Sequence, residues 1–250
     1  MALLAEAARR GLVFAVLAWS CAASPAWARE PQCRLDAYGL AMAGDLGRLE
    51  RRIATQVDLT LVAIGSSSTA GAGATAPERS YPAQLEMRLA RHWPDRRVRL
   101  VNRGINGEEA ADMIRRFGAN ILSVTPDLVI WQVGTNYLMR NQGVGRYAET
   151  LRDGLDRLQQ AGVDVILMDP QYAPRVLADP DHQTIVDLIA DIARQRDVAL
   201  FPRFKLMQAW ATDGVPWSQM LTPDLLHLND WSYACVAEAL AREIIKVGRQ

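Results

Sequence analysis

Residues 59–71 read LTLVAIGSSSTAG, and this stretch decides how the rest of the chain is interpreted. Its first part is an apolar run rich in aliphatic residues, which is typical of a strand covered on both faces of a parallel sheet. A glycine and three serines follow directly. These hydroxyl groups either cap the start of a helix, or one of them is a nucleophile.

Four further apolar runs follow, namely VRLVN (98–102), DLVIWQVG (127–134), DVILMD (164–169) and VALFP (198–202). Segments with helical periodicity alternate with them, near residues 80–92, 108–122, 146–161, 182–196 and 230–247. This alternation predicts a three-layer α/β/α fold with a five-stranded parallel sheet. No linker or change of composition divides residues 29–250, so we predict one domain there.

The charge balance argues against a nucleic-acid partner. Lys and Arg together number 28, as do Asp and Glu, so the formal net charge is zero. A nucleic-acid-binding domain normally carries a clear basic excess. A small-molecule, glycan or lipid-like substrate is the better expectation.

The first 28 residues have the pattern of a secretory signal peptide. Arg9 and Arg10 precede an apolar stretch of about 13 residues, and Ala26-Trp27-Ala28 supplies a cleavage site after Ala28. The stretch is shorter than the roughly 20 residues that span a bilayer. We predict a periplasmic or secreted protein without stable membrane insertion after cleavage. An uncleaved anchor, a twin-arginine signal and a lipoprotein cysteine at Cys21 are alternatives.

Export affects how the cysteines are interpreted. After removal of residues 1–28 only Cys33 and Cys235 remain, one near each end of the chain. An even pair in an oxidising compartment predicts a disulfide. The alternative is two buried free thiols.

Polar residues follow the predicted strands at the edge where a parallel sheet binds ligands. The segments are GSSST after the first strand, NRGINGEE after the second, GTNY after the third and DPQYAPR after the fourth. The long segment 203–229 follows the fifth strand and ends in TPDLLHLN. We therefore predict a site at this edge. Each segment alone also has a structural explanation, such as helix capping by the serines, and an anion cradle is a second functional interpretation of the serine turn.

Asp224 lies three residues before His227, a spacing at which a carboxylate can hold the imidazole Nδ1–H. An exposed surface turn would account for the same pattern. His92 and His182 have no such partner, and no second histidine or cysteine lies at a metal-ligand spacing, so we predict no metal site.

Four segments in this order resemble the SGNH (GDSL-type) hydrolase family. They are GSSST (65–69), VNRGING (101–107), GTN (134–136), and Asp224 with His227. The resemblance spans roughly residues 58–247 and implies a flavodoxin-like fold. It further implies hydrolysis of esters or thioesters without a metal or organic cofactor.

The resemblance implies a role for five residues. Ser67 is the nucleophile, His227 takes its proton, and Asp224 orients His227. The backbone N–H groups of Ser67 and Gly107 and the side-chain amide of Asn136 stabilise the oxyanion.

The chain departs from the family pattern at three positions. Ser66 replaces the usual aspartate, Ser68 replaces the usual leucine or isoleucine, and Tyr137 replaces the aspartate after Asn136. A rival register, in which Ser68 attacks, stays open at this point.

Two segments, 169–181 and 205–221, are expected to flank the cleft. The residues predicted to line the substrate site are Tyr172, Arg175, Trp210 and Trp217. The alternative is a hydrophobic flap packed on the core. By analogy with the family, we expect removal of short acyl groups such as acetyl from carbohydrate. A lysophospholipase or thioesterase, an O-acyltransferase and a non-catalytic periplasmic ligand-binding protein are alternatives, and the oligomeric state is left open.

Overall fold

The computed structural model describes residue 33 and residues 42–248. The predicted signal peptide, residues 1–28, lies outside the described residues. Within the described part of the chain, no helix has the length and hydropathy that a membrane span requires.

The sheet contains β1 (Leu59–Gly65), β2 (Val98–Gly104), β3 (Leu128–Gln132), β4 (Asp164–Met168) and β5 (Ala199–Phe201). All neighbouring pairs are parallel, and the strand order is β2-β1-β3-β4-β5. This is the flavodoxin-like order, and the prediction of a three-layer α/β/α fold is confirmed.

The strands form where the sequence is continuously apolar, because helices cover both faces of the sheet. All of β3 is buried, as is nearly all of β1. The register pairs Gly65 of β1 with Gly104 of β2. The two strands therefore end level with each other, which brings the segments that follow them to one edge of the sheet.

The helices in the described residues are α1 (Gly47–Ala54), α2 (Ser67–Ala70), α3 (Tyr81–His92), α4 (Ala110–Arg115), α5 (Phe117–Asn120), α6 (Thr135–Met139), α7 (Tyr147–Gln160), α8 (Pro174–Leu177), α9 (His182–Gln195), α10 (Arg203–Thr212), α11 (Trp217–Met220) and α12 (Asp230–Val247). Helices α3 and α12 pack together on one face of the sheet, and α4, α7 and α9 pack on the other. Helix α7 buries Leu151, Leu155 and Leu158, whose spacing gives one apolar stripe.

Two expectations about helices need correction. The segment predicted as one helix near 108–122 is broken at Arg116, which leaves helical geometry and lies between α4 and α5. Its guanidinium pairs with Glu108, just before the start of α4. The long segment after β5 contains α10 and α11, and α1 precedes the sheet. None of these three helices was predicted.

Cys33 and Cys235 are joined by a disulfide, with their Cα atoms 5.4 Å apart. The bond links the start of the described chain to helix α12. Beside it, Trp210 is 1% exposed, and its indole N–H donates to the carbonyl oxygen of Cys33 at 3.2 Å. The disulfide therefore closes the chain over a buried aromatic contact.

Reduction of this disulfide should lower the free energy of unfolding by about 2–5 kcal/mol, because the open chain regains conformational freedom. The two cysteines are separated by 202 positions, so the closed loop is long. Urea unfolding with and without a reductant measures the effect. A variant with both Cys33→Ser and Cys235→Ser is the control and should not respond to the reductant. Identical unfolding midpoints for the oxidised and reduced wild-type protein would contradict the expectation.

Candidate active site

The turn after β1 is tightly packed. A Cβ atom on Gly65 would lie 2.2 Å from Thr69 Oγ1 and 2.7 Å from Gln132 Oε1, so only glycine fits. Ser66 is buried and donates to Gln132 Oε1 from its backbone N–H at 2.8 Å and from its hydroxyl at 3.0 Å. These contacts place Ser67 at the first position of α2, half-buried at the edge of the sheet.

Ser67, His227 and Asp224 form a hydrogen-bonded chain. The hydroxyl of Ser67 lies 2.9 Å from His227 Nε2, and His227 Nδ1 lies 2.5 Å from Asp224 Oδ2. Asp224 Oδ1 also accepts from the Thr222 hydroxyl and from the backbone N–H groups of Leu226 and His227.

The environment of Asp224 keeps it ionised. Partial burial raises the pKa of this carboxyl group, but the hydrogen bonds from His227, Thr222 and two backbone N–H groups outweigh it. The pKa of Asp224 therefore lies well below its usual range. An ionised carboxylate only accepts hydrogen bonds, so Nδ1 of His227 carries a proton and Nε2 can accept one from Ser67.

Ser68 points away from the histidine. It is 1% exposed, and its hydroxyl accepts a hydrogen bond from Arg203 Nη1 at 3.0 Å. The rival register, in which Ser68 is the nucleophile, does not fit this arrangement, because the hydroxyl beside His227 is that of Ser67.

The predicted oxyanion donors Gly107 and Asn136 lie in the segments that follow β2 and β3, and these two segments are in contact. Gly107 has a left-handed φ of 79° and is exposed. Among the hydrogen bonds of the described residues, neither the Ser67 N–H nor the Gly107 N–H donates to a protein acceptor. The amide of Asn136 donates to the carbonyl oxygen of Glu108 at 2.9 Å, which fixes Asn136 next to Gly107.

Two arginines hold the loop that carries Gly107. Arg116 pairs with Glu108 and donates to the carbonyl oxygen of Arg103 at 2.7 Å. Arg140 donates to the carbonyl oxygen of Gly107 at 2.9 Å, which fixes the orientation of that residue. The sequence analysis did not identify either arginine, since nothing in the local sequence marks a charged residue as one that holds a distant loop.

The residues predicted to line the substrate site divide into two groups. Tyr172 and Trp217 stack with ring centroids 5.4 Å apart, and both are partly exposed. Arg175 is exposed, and its backbone N–H donates to the carbonyl oxygen of Leu225, two residues before His227. Trp210, in contrast, is buried beside Cys33. The prediction that Trp210 lines the cleft is wrong.

Within the residues that the structure describes, no three His, Cys, Asp or Glu side chains are grouped closely enough to hold a metal ion.

Three buried polar residues near the site were not identified from the sequence, namely Gln132, Gln171 and Arg203. Each is at least 99% buried. Gln132 is a polar residue inside the apolar run 127–134, and this is the one feature of the sequence that could have marked any of the three as a functional residue.

Gly104 is required by the close packing of α2 on β2. A Cβ atom there would lie 2.1 Å from the backbone nitrogen of Ala70, so Gly104→Ala should lower the free energy of unfolding by about 1–3 kcal/mol. Gly118→Ala is the matched control, because a Cβ atom on this glycine of α5 meets no atom within 4 Å. It should leave stability unchanged or raise it by up to about 1 kcal/mol. Urea unfolding measures both variants, and equal effects would refute the packing argument.

Comparison with known proteins identifies relatives over most of the chain. The non-GDSL lipase-like family matches residues 32–249. An arylesterase of Vibrio mimicus is 24% identical over 197 residues, which cover 77% of this chain and 92% of the relative. The esterase TesA of Pseudomonas aeruginosa is 28% identical over 184 residues, which cover 69% of this chain and 86% of the relative.

Solved structures share the fold. A two-domain esterase active on acetylated mannans aligns with a TM-score of 0.73 at 22% identity, covering 85% of this chain and 57% of that chain. This chain thus spans little more than half of that esterase. The crystal structure of TesA aligns with a TM-score of 0.64 at 23% identity, covering 75% of this chain and 99% of the TesA chain. An acetylxylan esterase from Geobacillus stearothermophilus aligns with a TM-score of 0.63 at 21% identity, covering 74% of this chain and 94% of that esterase.

The family match covers most of the chain and agrees with the fold, so the chain belongs to the non-GDSL lipase-like family, among the SGNH/GDSL-type esterases.

Proposed function

We propose that this protein is an exported serine esterase that uses Ser67, His227 and Asp224 as its catalytic triad. One observation carries the proposal, namely the 2.9 Å contact between Ser67 Oγ and a histidine whose other nitrogen is held by a carboxylate. A nucleophile, a base and a group that orients the base are the three parts of nucleophilic acyl transfer. A protein that only binds a ligand needs no such oriented base.

The first half of the reaction forms an acyl-enzyme. His227 Nε2 takes the proton of Ser67 while Ser67 Oγ attacks the carbonyl carbon of the ester. The imidazolium that results is stabilised by the ionised Asp224. When the tetrahedral intermediate collapses, the bond to the alcohol breaks and His227 gives its proton to the leaving oxygen.

The second half repeats these steps with water. His227 takes a proton from water, the hydroxide attacks the acyl carbon, and Ser67 leaves as a hydroxyl with the proton returned. In both halves the backbone N–H groups of Ser67 and Gly107 face the developing oxyanion, together with the amide of Asn136. Donors of this kind are each worth about a hundred- to thousandfold in rate.

We propose carbohydrate esters with short acyl groups, such as acetyl, as the substrate class. The partly exposed stack of Tyr172 on Trp217 presents aromatic rings in the segments that flank the site. Sugar rings pack well on such surfaces, since aromatic side chains offer large apolar faces. Esterases of the same fold act on acetylated mannans or acetylxylan, which supports the same class for this chain.

Export is part of the proposal. The apolar segment that precedes Ala28 and the disulfide between Cys33 and Cys235 agree with an oxidising compartment outside the cytosol.

Ser67→Ala and His227→Ala should each lower kcat for p-nitrophenyl acetate by at least about ten-thousandfold, because the nucleophile or its base is lost. Asp224→Ala should leave more residual activity. Steady-state hydrolysis of p-nitrophenyl esters from acetate to decanoate measures the rates and the preferred chain length. We expect acetate to be preferred, and acetylated mannan or xylan to release acetate.

His92→Ala is the control, because His92 is exposed at the end of α3 and should be dispensable. Wild-type activity in Ser67→Ala would refute the triad. Preference for decanoate would replace the carbohydrate substrate with a lysophospholipid or thioester. Labelling of Ser67 by a serine-directed phosphonate without hydrolysis would indicate an acyltransferase, and absence of both would indicate a binding protein.

A further inference from the structure

The two serines that flank Ser67 are both buried and both tied to the interior. Ser66 and Ser68 are each 1% exposed. Ser66 donates to Gln132, and Ser68 accepts from Arg203. The nucleophile turn is therefore held from two sides by buried polar side chains.

Arg203 is a fully buried cation with three acceptors. Its Nη1 donates to Ser68 Oγ at 3.0 Å, its Nη2 to Gln171 Oε1 at 2.9 Å, and its Nε to the carbonyl oxygen of Asp169 at 3.0 Å. The three bonds leave the guanidinium in three directions and reach two separate segments of the chain. A planar fork of this kind cannot be reproduced by a lysine ammonium.

Gln171 extends these contacts to two other functional segments. Its Oε1 also accepts from the Thr135 hydroxyl at 2.8 Å, and its Nε2 donates to the carbonyl oxygen of Leu226 at 3.2 Å. Thr135 directly precedes Asn136, and Leu226 directly precedes His227. Arg203 is thus two hydrogen bonds away from the residue that precedes His227, and one hydrogen bond away from Ser68, which follows Ser67.

The cost of burying Arg203 indicates a role beyond packing. Removing a cation from water is expensive, and well-packed apolar residues often replace buried ion pairs without loss of stability. The buried carboxyl group of Asp169 compensates only in part. Burial raises its pKa to about 7, although the backbone N–H of Phe204 and the charge of Arg203 oppose the shift. The three hydrogen bonds satisfy the buried guanidinium, and two of them end on side chains of the segments that surround the site.

We propose that Arg203 is a positioning residue for ester hydrolysis, which holds the turn of Ser67 through Ser68 and the segment of His227 through Gln171. This inference rests on the proposed function, because it assumes that Ser67 and His227 react together. Without Arg203 the two segments lose their common anchor, and Ser67 Oγ drifts from His227 Nε2. A displacement of about 1 Å can cost about a hundredfold in rate.

The test compares Arg203→Met, Arg203→Lys and Ser68→Ala with the wild-type protein. We expect kcat for p-nitrophenyl acetate to fall by about ten- to hundredfold in Arg203→Met, with KM within about twofold, since the misplaced groups act on the reaction rather than on substrate binding. Arg203→Lys should restore only part of kcat, because lysine keeps the positive charge but cannot make the three hydrogen bonds of the planar guanidinium.

A double-mutant cycle separates positioning from general weakening. If Arg203 acts on Ser67 through Ser68, the effects on kcat of Ser68→Ala and Arg203→Met should be strongly non-additive. The double variant should be no slower than Arg203→Met alone. Independent effects that multiply would overturn the proposal.

Asp127→Asn is the control for a purely structural effect. Asp127 is 5% exposed, and its carboxylate accepts from the backbone N–H of Thr60, near the opposite end of β1 from Ser67. This variant should lower the urea midpoint and leave kcat unchanged. A fall in kcat equal to that of Arg203→Met would overturn the proposal, because kcat would then follow stability alone.

Two further outcomes are decisive. A folded Arg203→Met variant with wild-type kcat would overturn the positioning role while Ser67→Ala remains inactive, so the proposed triad would stand. If Arg203→Met fails to fold, Arg203→Lys and Ser68→Ala carry the test, and wild-type kcat in both overturns it. Wild-type activity in Ser67→Ala would instead overturn the triad, and the positioning role with it.

Discussion

The site depends on the close approach of α2 to the ends of β1 and β2. Gly65 and Gly104 are paired across the two strands, and neither has room for a methyl group. The missing side chains let the nucleophile turn lie directly on the sheet, where Asn102 donates to the carbonyl oxygen of Thr69 at 2.8 Å. Because this turn is packed against and hydrogen-bonded to the strands, the sheet sets the position of Ser67.

A second constraint joins segments that are far apart in the sequence. The proposed nucleophile, oxyanion donors and base follow different strands, so each would otherwise be placed by its own loop. Gln132 donates to Thr135 at 3.4 Å, which links the contacts of Ser66 to those of Gln171 and Arg203. Inside a protein such hydrogen bonds are stronger than in water, and an unpaired member would be costly. The side chains of this network therefore hold one another in place, and they also hold the loops that follow the strands.

The sequence predicted the parts of this molecule that depend on local pattern. The apolar runs marked all five strands, and the resemblance to the SGNH family pointed to Ser67, Gly107, Asn136 and His227 as site residues. It did not predict Arg203, because nothing local distinguishes a buried arginine from a solvated one at the start of a helix. Trp210 was misplaced for the same reason, since its partner Cys33 lies at the other end of the chain. Such contacts depend on tertiary packing rather than on periodicity.

The two carboxyl groups near the site have opposite environments. Asp224 is partly exposed and accepts several hydrogen bonds, so it stays ionised. Burial raises the pKa of Asp169 to about 7, so the folded state holds a proton that the unfolded chain loses near its ordinary pKa of about 3.9. The stability that this group contributes is therefore fully present below the lower value and is lost as the pH rises through about 7. Burial thus favours the neutral form of the Asp169 carboxyl group and weakens its ability to neutralise Arg203. The guanidinium donates to three neutral acceptors, namely the Ser68 hydroxyl, Gln171 Oε1 and the backbone carbonyl oxygen of Asp169. The first two of these bonds connect it to the segments that carry Ser67 and His227.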